Sequence, residues 1–234
     1  MDPQAHGKSN EPAGPVAPRW PDFKFPRNHP DLAHYLPYHV GDSLEAVARA
    51  ARDGHRGIDV NMQPTRDLVA VAKHWGQPSH AGDGFTHLWS GPGWGNGKIV
   101  PDPAPSLPIS GRAWVDVQRL TDATGQRRIS TIRAHMAEGV RLGVLVMPEA
   151  KSDPLMHRPE FWDRLGADCD AVGHPRVMMT LSNIGSPVKR LTAAKGAGFH
   201  TAVLPRGKRP ADYLTRWAPV LDAEWGTAWD PIPT

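Results

Sequence analysis

From residue 31 onward, short apolar runs alternate with stretches of helical period. "LAHYL" (32–36), "GIDVNM" (57–62), "LVAVAKH" (68–74), "GVLVMPEA" (143–150), "RVMMTLS" (176–182), "HTAVLP" (200–205) and "GTAWD" (226–230) read as strands. "GDSLEAVARAARDG" reads as a helix. Asp42 with Glu45 resembles a capping box, Leu44, Val47, Ala48 and Ala51 share a face, and Gly54 sits where a C-terminal cap belongs. "ISTIRAHMAEG" (129–139) is a second helix, with Ser130 as N-cap and Gly139 at its end. Further helical stretches fall near 158–167, 186–197 and 210–223. A long Gly/Pro/Trp-rich stretch, 75–111, reads as a loop.

Strands that are apolar on both faces and separated by helices imply a parallel sheet covered by helices. The fold class is therefore α/β, and a TIM-type (β/α) barrel accounts best for the run of units. A doubly wound open sheet is the runner-up. Seven strands are legible, so one barrel strand is irregular, missing, or hidden in the loop region. Residues 1–28, rich in Pro, Gly and polar side chains, read as an extended N-terminal arm, and 29–234 as the barrel domain.

In such a barrel, chemistry sits at the C-terminal ends of the strands. His34 ends the first strand, and Asp59 and Asn61 alternate along the second, so both point to one side. His74 ends the third strand, Glu149 and Lys151 alternate at the end of the fourth, and Ser182 and Asn183 end the fifth. Each alone is ordinary: a strand-end His is usually solvated, an Asp after a strand usually caps a turn. Their convergence on one mouth is what singles them out. Carboxylates with an amide oxygen suit a hard cation such as Mg²⁺ or Ca²⁺. Two imidazoles suit proton delivery and removal, and a lysine suits a phosphate oxygen or an orienting ion pair. Together these parts suit metal-assisted cleavage of a phosphodiester.

Composition narrows the partners. The 234 residues carry a formal net charge of only +3 with no long basic run, so nothing favours nucleic acid. The 25 prolines and 23 glycines imply many turns. The single cysteine, Cys169, excludes an internal disulfide and reads as a buried structural thiol. No apolar run is long enough for a membrane span, and the N-terminus has no signal-like apolar segment. These features suit a cytoplasmic or particle-associated protein. His80, Asp83 and His87 fit no strong zinc spacing and read as solvated loop residues.

At this point the chain resembles the glycerophosphodiester phosphodiesterase family, a metal-dependent β/α barrel. That family's first strand carries His-Arg-Gly. A helix opening with Glu-Asn-Thr follows, then a Glu-x-Asp strand, a Thr-x-Asp-Gly turn, a strand ending in His-Asp and, much later, Glu-x-Lys. "LAHYLPYHVGDSLEAVARAARDGHRGIDVNMQPTRDLVAVAKHW" follows that order, "GQRRISTIRAHMAEGVRLGVLVMPEAK" resembles the stretch leading into Glu-x-Lys, and "GTAWDPIP" looks like the last strand. The resemblance runs from about residue 31 to the end, and is poor over 76–128 and 155–200. The literal His55-Arg56-Gly57 falls after the first helix, a chance tripeptide where the helix dipole favours basic residues.

The resemblance implies His34 and His74 as the catalytic pair, with His39 as a substitute for His34. It implies Asp59, Asn61 and Glu149 at the metal, and Lys151 and Tyr35 at the substrate. The departures are specific. Glu-x-Asp is here Asp59-Val60-Asn61, one methylene shorter and one charge poorer, so the divalent cation should be held weakly. Tyr35 replaces the phosphate-binding Arg, Trp75 replaces the Asp after the second His, and Leu68 replaces the turn Gly. Arg56, Arg27 and Lys73 are the nearby cations that could stand in for the missing Arg, although alternation points Lys73 away from the face of His74. Two functions follow. One is an active phosphodiesterase taking a small-molecule or polymeric phosphodiester. The other is a catalytically impaired barrel that binds a glycerol-phosphate or sugar-phosphate polymer or serves structural assembly, as in a virion. The arm, with an assembly partner of its own, and "HLWSGPGWGNG" fit the second.

Overall fold

The computed structural model describes residues 32–33, 42–78, 85–89 and 98–224. In chain order its elements are β1 (Leu32–Ala33), α1 (Leu44–Arg52), β2 (Gly57–Pro64), β3 (Ala70–Ala72), β4 (His87–Trp89), β5 (Ile99–Pro101), α2 (Trp114–Val117), β6 (Leu120–Thr121), α3 (Ile132–Leu142), β7 (Leu145–Ala150), α4 (Pro159–Val172), β8 (Val177–Leu181), α5 (Pro187–Gly196), β9 (His200–Leu204) and β10 (Ala223–Glu224).

The main sheet has the order β1-β2-β7-β8-β9-β10, every neighbouring pair parallel. Its two faces are sorted by alternation. Ile58, Val60, Met62, Val146, Met178 and Val203 pack outward on α1, α3, α4 and α5 in the main core. Leu145, Met147, Val177, Met179 and Ala202 form a separate cluster on the other, inner face. Trp162 anchors the outer core: its ring meets Phe161 and Phe199 edge-on at 5.2 and 5.4 Å, and its indole N–H donates to the Met156 carbonyl at 2.8 Å. This is the β/α-barrel series of parallel strands with an inner and a helix-covered face. Among the described residues, β1 and β10 are the edges, and no ladder joins them.

Several expectations are corrected. The third strand is not a barrel strand, because β3 pairs antiparallel with β2. The turn that reverses the chain is held by Thr65, which exchanges backbone bonds with Leu68 and Val69, and by Leu68 itself at φ 63°. The 75–111 loop is partly sheet, for β4 pairs with β5 and with β6, β6 lying beyond the loop. The cap of α1 is Ser43, whose Oγ accepts from the Ala46 N–H at 3.2 Å, so Asp42 and Glu45 form no capping box. Leu44 is exposed, and the buried face is Ala46, Val47 and Ala50. Gly54 does adopt the left-handed conformation expected after the helix, at φ 81°.

The second helix starts at a Thr131 cap, not Ser130, and runs past Gly139 to Gly143 at φ 72°. The expected helix over 210–223 is broken into a π turn, Tyr213–Trp217, and a 3₁₀ turn, Ala218–Val220, where Pro219 lacks the N–H that a helix interior needs. The arm, His39 and the 226–230 strand lie outside the described residues.

Candidate active site

β2 and β7 are paired so that Asp59 lies opposite Met147 and Asn61 opposite Glu149. Partners in a ladder project from the same face, so Asp59, Asn61 and Glu149 stand on the inner face, above the Met147 cluster and toward the strands' C-terminal ends. All three are buried: Asp59 is 5 % exposed, Asn61 0 % and Glu149 5 %. Glu149 makes a short ion pair with Lys151, which follows two residues later on the same side. Burial pushes the Glu149 carboxyl above the ordinary carboxylate range. The Lys151 ammonium draws it back, Asp59 pushes it further up, and Arg206 acts with Lys151.

Asp42 joins this group, and it was not among the candidates. Its Oδ1 accepts from the Asn61 main-chain N–H at 2.8 Å and from the Asn61 side-chain amide at 3.0 Å, while Oδ2 lies 3.3 Å from the same amide nitrogen. Burial raises its carboxyl to about 7, against the Asn61 hydrogen bonds, with Asp59 raising and Lys151 lowering it. The sequence signal was present but ambiguous. "DS" before a helix offers two candidate caps, and only one can cap; with Ser43 in that role, Asp42 is left for the site.

Lys73, disfavoured in the sequence as a stand-in for the missing Arg, shares a face with the site. The β2–β3 register sets Met62 against Ala72, and the Lys73 N–H donates to the Asn61 carbonyl at 2.9 Å, so Lys73 emerges on the face of Asn61. His74 follows in the bend after β3, half-buried with its ring edge-on to Trp75 at 4.3 Å. The Lys73 ammonium is 5.6 Å from the centre of the Phe85 ring. The Gln63 side chain, also buried on this face, donates to the His74 carbonyl at 3.3 Å.

Two more cations follow β8 and β9, Arg190 in α5 and Arg206 in the loop after β9. Arg190 is fully buried and ties the Ile184 carbonyl, the Gly185 carbonyl and the Thr180 hydroxyl together behind β8. Burial lowers its guanidinium to about 10, and the nearby Glu149 acts against that. Ser182, an expected strand-end residue, laces the two loops: its Oγ accepts from the Arg206 N–H at 2.6 Å and donates to the Arg206 carbonyl at 3.0 Å. Arg190 falls within a helical stretch of the sequence pattern, so nothing there marks it; Arg206 directly follows the "HTAVLP" strand but was not among the candidates.

The remaining candidates do not meet here. His34 and Tyr35 lie outside the described residues, as do His80 and Asp83. His87 is in β4, with its ring nitrogen 2.9 Å from the Thr86 hydroxyl. Cys169 is the buried thiol expected, its pKa pushed up to about 12 by burial. Among the described residues no helix is long and apolar enough to cross a membrane.

The donor set bears on a divalent cation. Among the described residues, no three His, Cys, Asp or Glu side chains gather closely enough to hold an ion by themselves. On these strands the Asn61 carbonyl is the oxygen available beside Asp59 and Glu149. That oxygen is buried and accepts no hydrogen bond, as a ligand oxygen would before an ion arrives. Asp59, Asn61 and Glu149 are all hard oxygen donors, so the residues fit Mg²⁺ or Ca²⁺.

No family model matches the sequence, and no curated protein matches it. Solved structures do match. A phosphodiesterase from Oleispira antarctica, in complex with the product sn-glycerol-3-phosphate, superposes with a TM-score of 0.57 at 12 % identity, covering 81 % of this chain and 70 % of that one. The glycerophosphoryl diester phosphodiesterase domain of a Mycobacterium tuberculosis protein gives 0.48 at 14 % identity, covering 73 % and 58 %. A glycerophosphodiester phosphodiesterase from Agrobacterium tumefaciens gives 0.37 at 12 % identity, covering 85 % and 95 %. At such identities likeness speaks to the fold, and the chain has the fold of the Oleispira phosphodiesterase.

Proposed function

We propose that this chain is a divergent glycerophosphodiester phosphodiesterase that hydrolyses its substrate with a divalent cation. The observation that carries the reading is the shared inner face of Asp59, Asn61 and Glu149 on adjacent parallel strands of that fold. A cation held there would neutralise the phosphate oxygens and favour the oxyanion form of the attacking group. Lys151 holds the Glu149 carboxylate in place through their ion pair. Lys73 and Arg206 supply positive charge for a phosphate on either side of the carboxylates, the role left open by Tyr35. His34 and His74 remain the proton-transfer pair of the proposal, one protonating the leaving alcohol and the other deprotonating the nucleophile.

The test is release of alcohol from glycerophosphodiesters with Mg²⁺ or Ca²⁺, with chelator, and with Glu149→Gln. Turnover should need the metal and fall by about a hundredfold or more in the variant. Folded protein that turns over nothing with any metal would refute the activity and leave a binding role.

A further inference from the structure

Asn61 carries the charge deficit of the candidate site, and how its amide is oriented decides whether it is a ligand at all. An amide offers a cation one useful atom, the carbonyl oxygen; turned by half a rotation it presents an NH₂ group that repels the ion. Nothing in the Asn61 side chain itself selects between the two. Asp42 does. It reaches the inner face from the residue before the cap of α1, at φ 58°, a left-handed backbone that Asp tolerates better than most residues but still at a cost. From there its carboxylate accepts both the Asn61 main-chain N–H and the Asn61 amide, at 2.8 and 3.0 Å. The amide nitrogen is thereby held toward Asp42, and the Asn61 carbonyl oxygen is left buried with no hydrogen bond.

We infer that Asp42 is a positioning residue that locks the Asn61 carbonyl oxygen toward the cation, so that the two side chains work as a single ligand unit. The inference rests on the cation-dependent reading above and deepens it. The unit has one carboxylate and one amide, and the two can be exchanged once the residue-61 side chain turns from the Oδ1 toward the Oδ2 position of residue 42, 3.3 Å away in wild type. With the pair exchanged, an Asn at 42 still accepts the main-chain N–H through its oxygen. Its own NH₂ donates to one oxygen of an Asp at 61, whose other oxygen takes the place of the amide carbonyl.

The experiment titrates the full chain with Mn²⁺, following loss of the free-ion EPR signal, with Ca²⁺ as competitor. The proteins are wild type, Asp42→Asn and the double exchange Asp42→Asn with Asn61→Asp. In Asp42→Asn an oxygen kept at the Oδ1 position still accepts the Asn61 main-chain N–H, but an NH₂ replaces Oδ2 and faces the Asn61 NH₂, 3.3 Å away in wild type. The Asn61 amide can relieve this by turning its nitrogen to the site. Mn²⁺ affinity should fall by about tenfold, the scale of lost outer partners at metal sites. The double exchange should restore it to wild-type strength or better, since a charged oxygen replaces a neutral one. A purely structural role would lower the melting temperature of metal-free Asp42→Asn and restore it in the exchange, but would leave the Mn²⁺ affinity of folded Asp42→Asn unchanged. Equal Mn²⁺ affinity in wild type and Asp42→Asn overturns the inference alone, and so does a folded double variant that does not recover. Wild type that binds neither ion overturns the cation-dependent reading, and this inference with it.

Discussion

Leu68 holds a left-handed backbone, φ 63°, in the turn that sends β3 back along β2. A side chain with a Cβ is strained there by about 1 kcal/mol or more, yet Leu68 packs against the main core and is kept. Leu68→Ala should lose the packing and keep the strain. Leu68→Gly should lose the same packing and release the strain. The usual order is thus reversed, with the Gly variant more stable than the Ala variant by about 1 kcal/mol. Urea unfolding of the two decides it, and an Ala variant as stable as the Gly variant would remove the strain from the account. The same scale shows what was legible in the site. Asp59, Asn61, Glu149 and Lys151 could be read because strand alternation alone puts them on one face. Asp42 and Lys73 could not. The first depends on which of two adjacent residues caps a helix, and the second on whether a strand runs parallel or antiparallel to its neighbour.

Among the elements, α3 shows how a glycine can mislead. Gly139 looks like a helix end, but the helix continues through it, and the reason is contact with the sheet. A Cβ at 139 would lie 2.5 Å from the Val144 carbonyl oxygen and 2.7 Å from Val146 Cγ2, so only a bare backbone lets α3 settle against β7. Gly139→Ala gains about 1 kcal/mol of helix propensity and should lose more, about 1–3 kcal/mol, to overpacking against backbone that cannot rotate away. A net drop in the thermal midpoint is expected. A rise would mean that α3 shifts outward without cost. β2 and β7 were legible as runs buried on both faces, and α1 and α4 because one face of each is buried along its length. β4, β5 and β6 were not, since each is only two or three residues long, too short for a period to show.

At the scale of the whole molecule, the parallel sheet was legible from runs apolar on both faces, but the stability of that sheet also depends on protons that no pattern shows. His174, in the connection from α4 to β8, is buried beside β7. Its Nε2 is 3.3 Å from the Val146 N–H, which it must accept unprotonated, and its Nδ1 is 2.8 Å from the Pro175 carbonyl. Burial depresses its pKa from the ordinary 6.5 to about 4, the Pro175 hydrogen bond acting against that. Between these values the unfolded chain holds a proton that the folded chain does not. Stability from this group is therefore complete above pH 6.5 and is lost as the pH falls toward 4, by about 3 kcal/mol in all. Other groups titrate in the same window, the raised carboxyls of Asp42 and Glu149 with the opposite sign, so the wild-type profile alone would not isolate it. His174→Gln does, because an amide can accept from Val146 and donate to Pro175 without ever taking a proton. Unfolding free energies measured for both proteins from pH 7 to pH 4 should differ by an amount that is constant at the upper end. Toward the acid end the difference should move in favour of the Gln variant, by about 3 kcal/mol. A difference that stays flat across the range would show that His174 becomes charged in the folded sheet, and that the β7–β8 contact tolerates it.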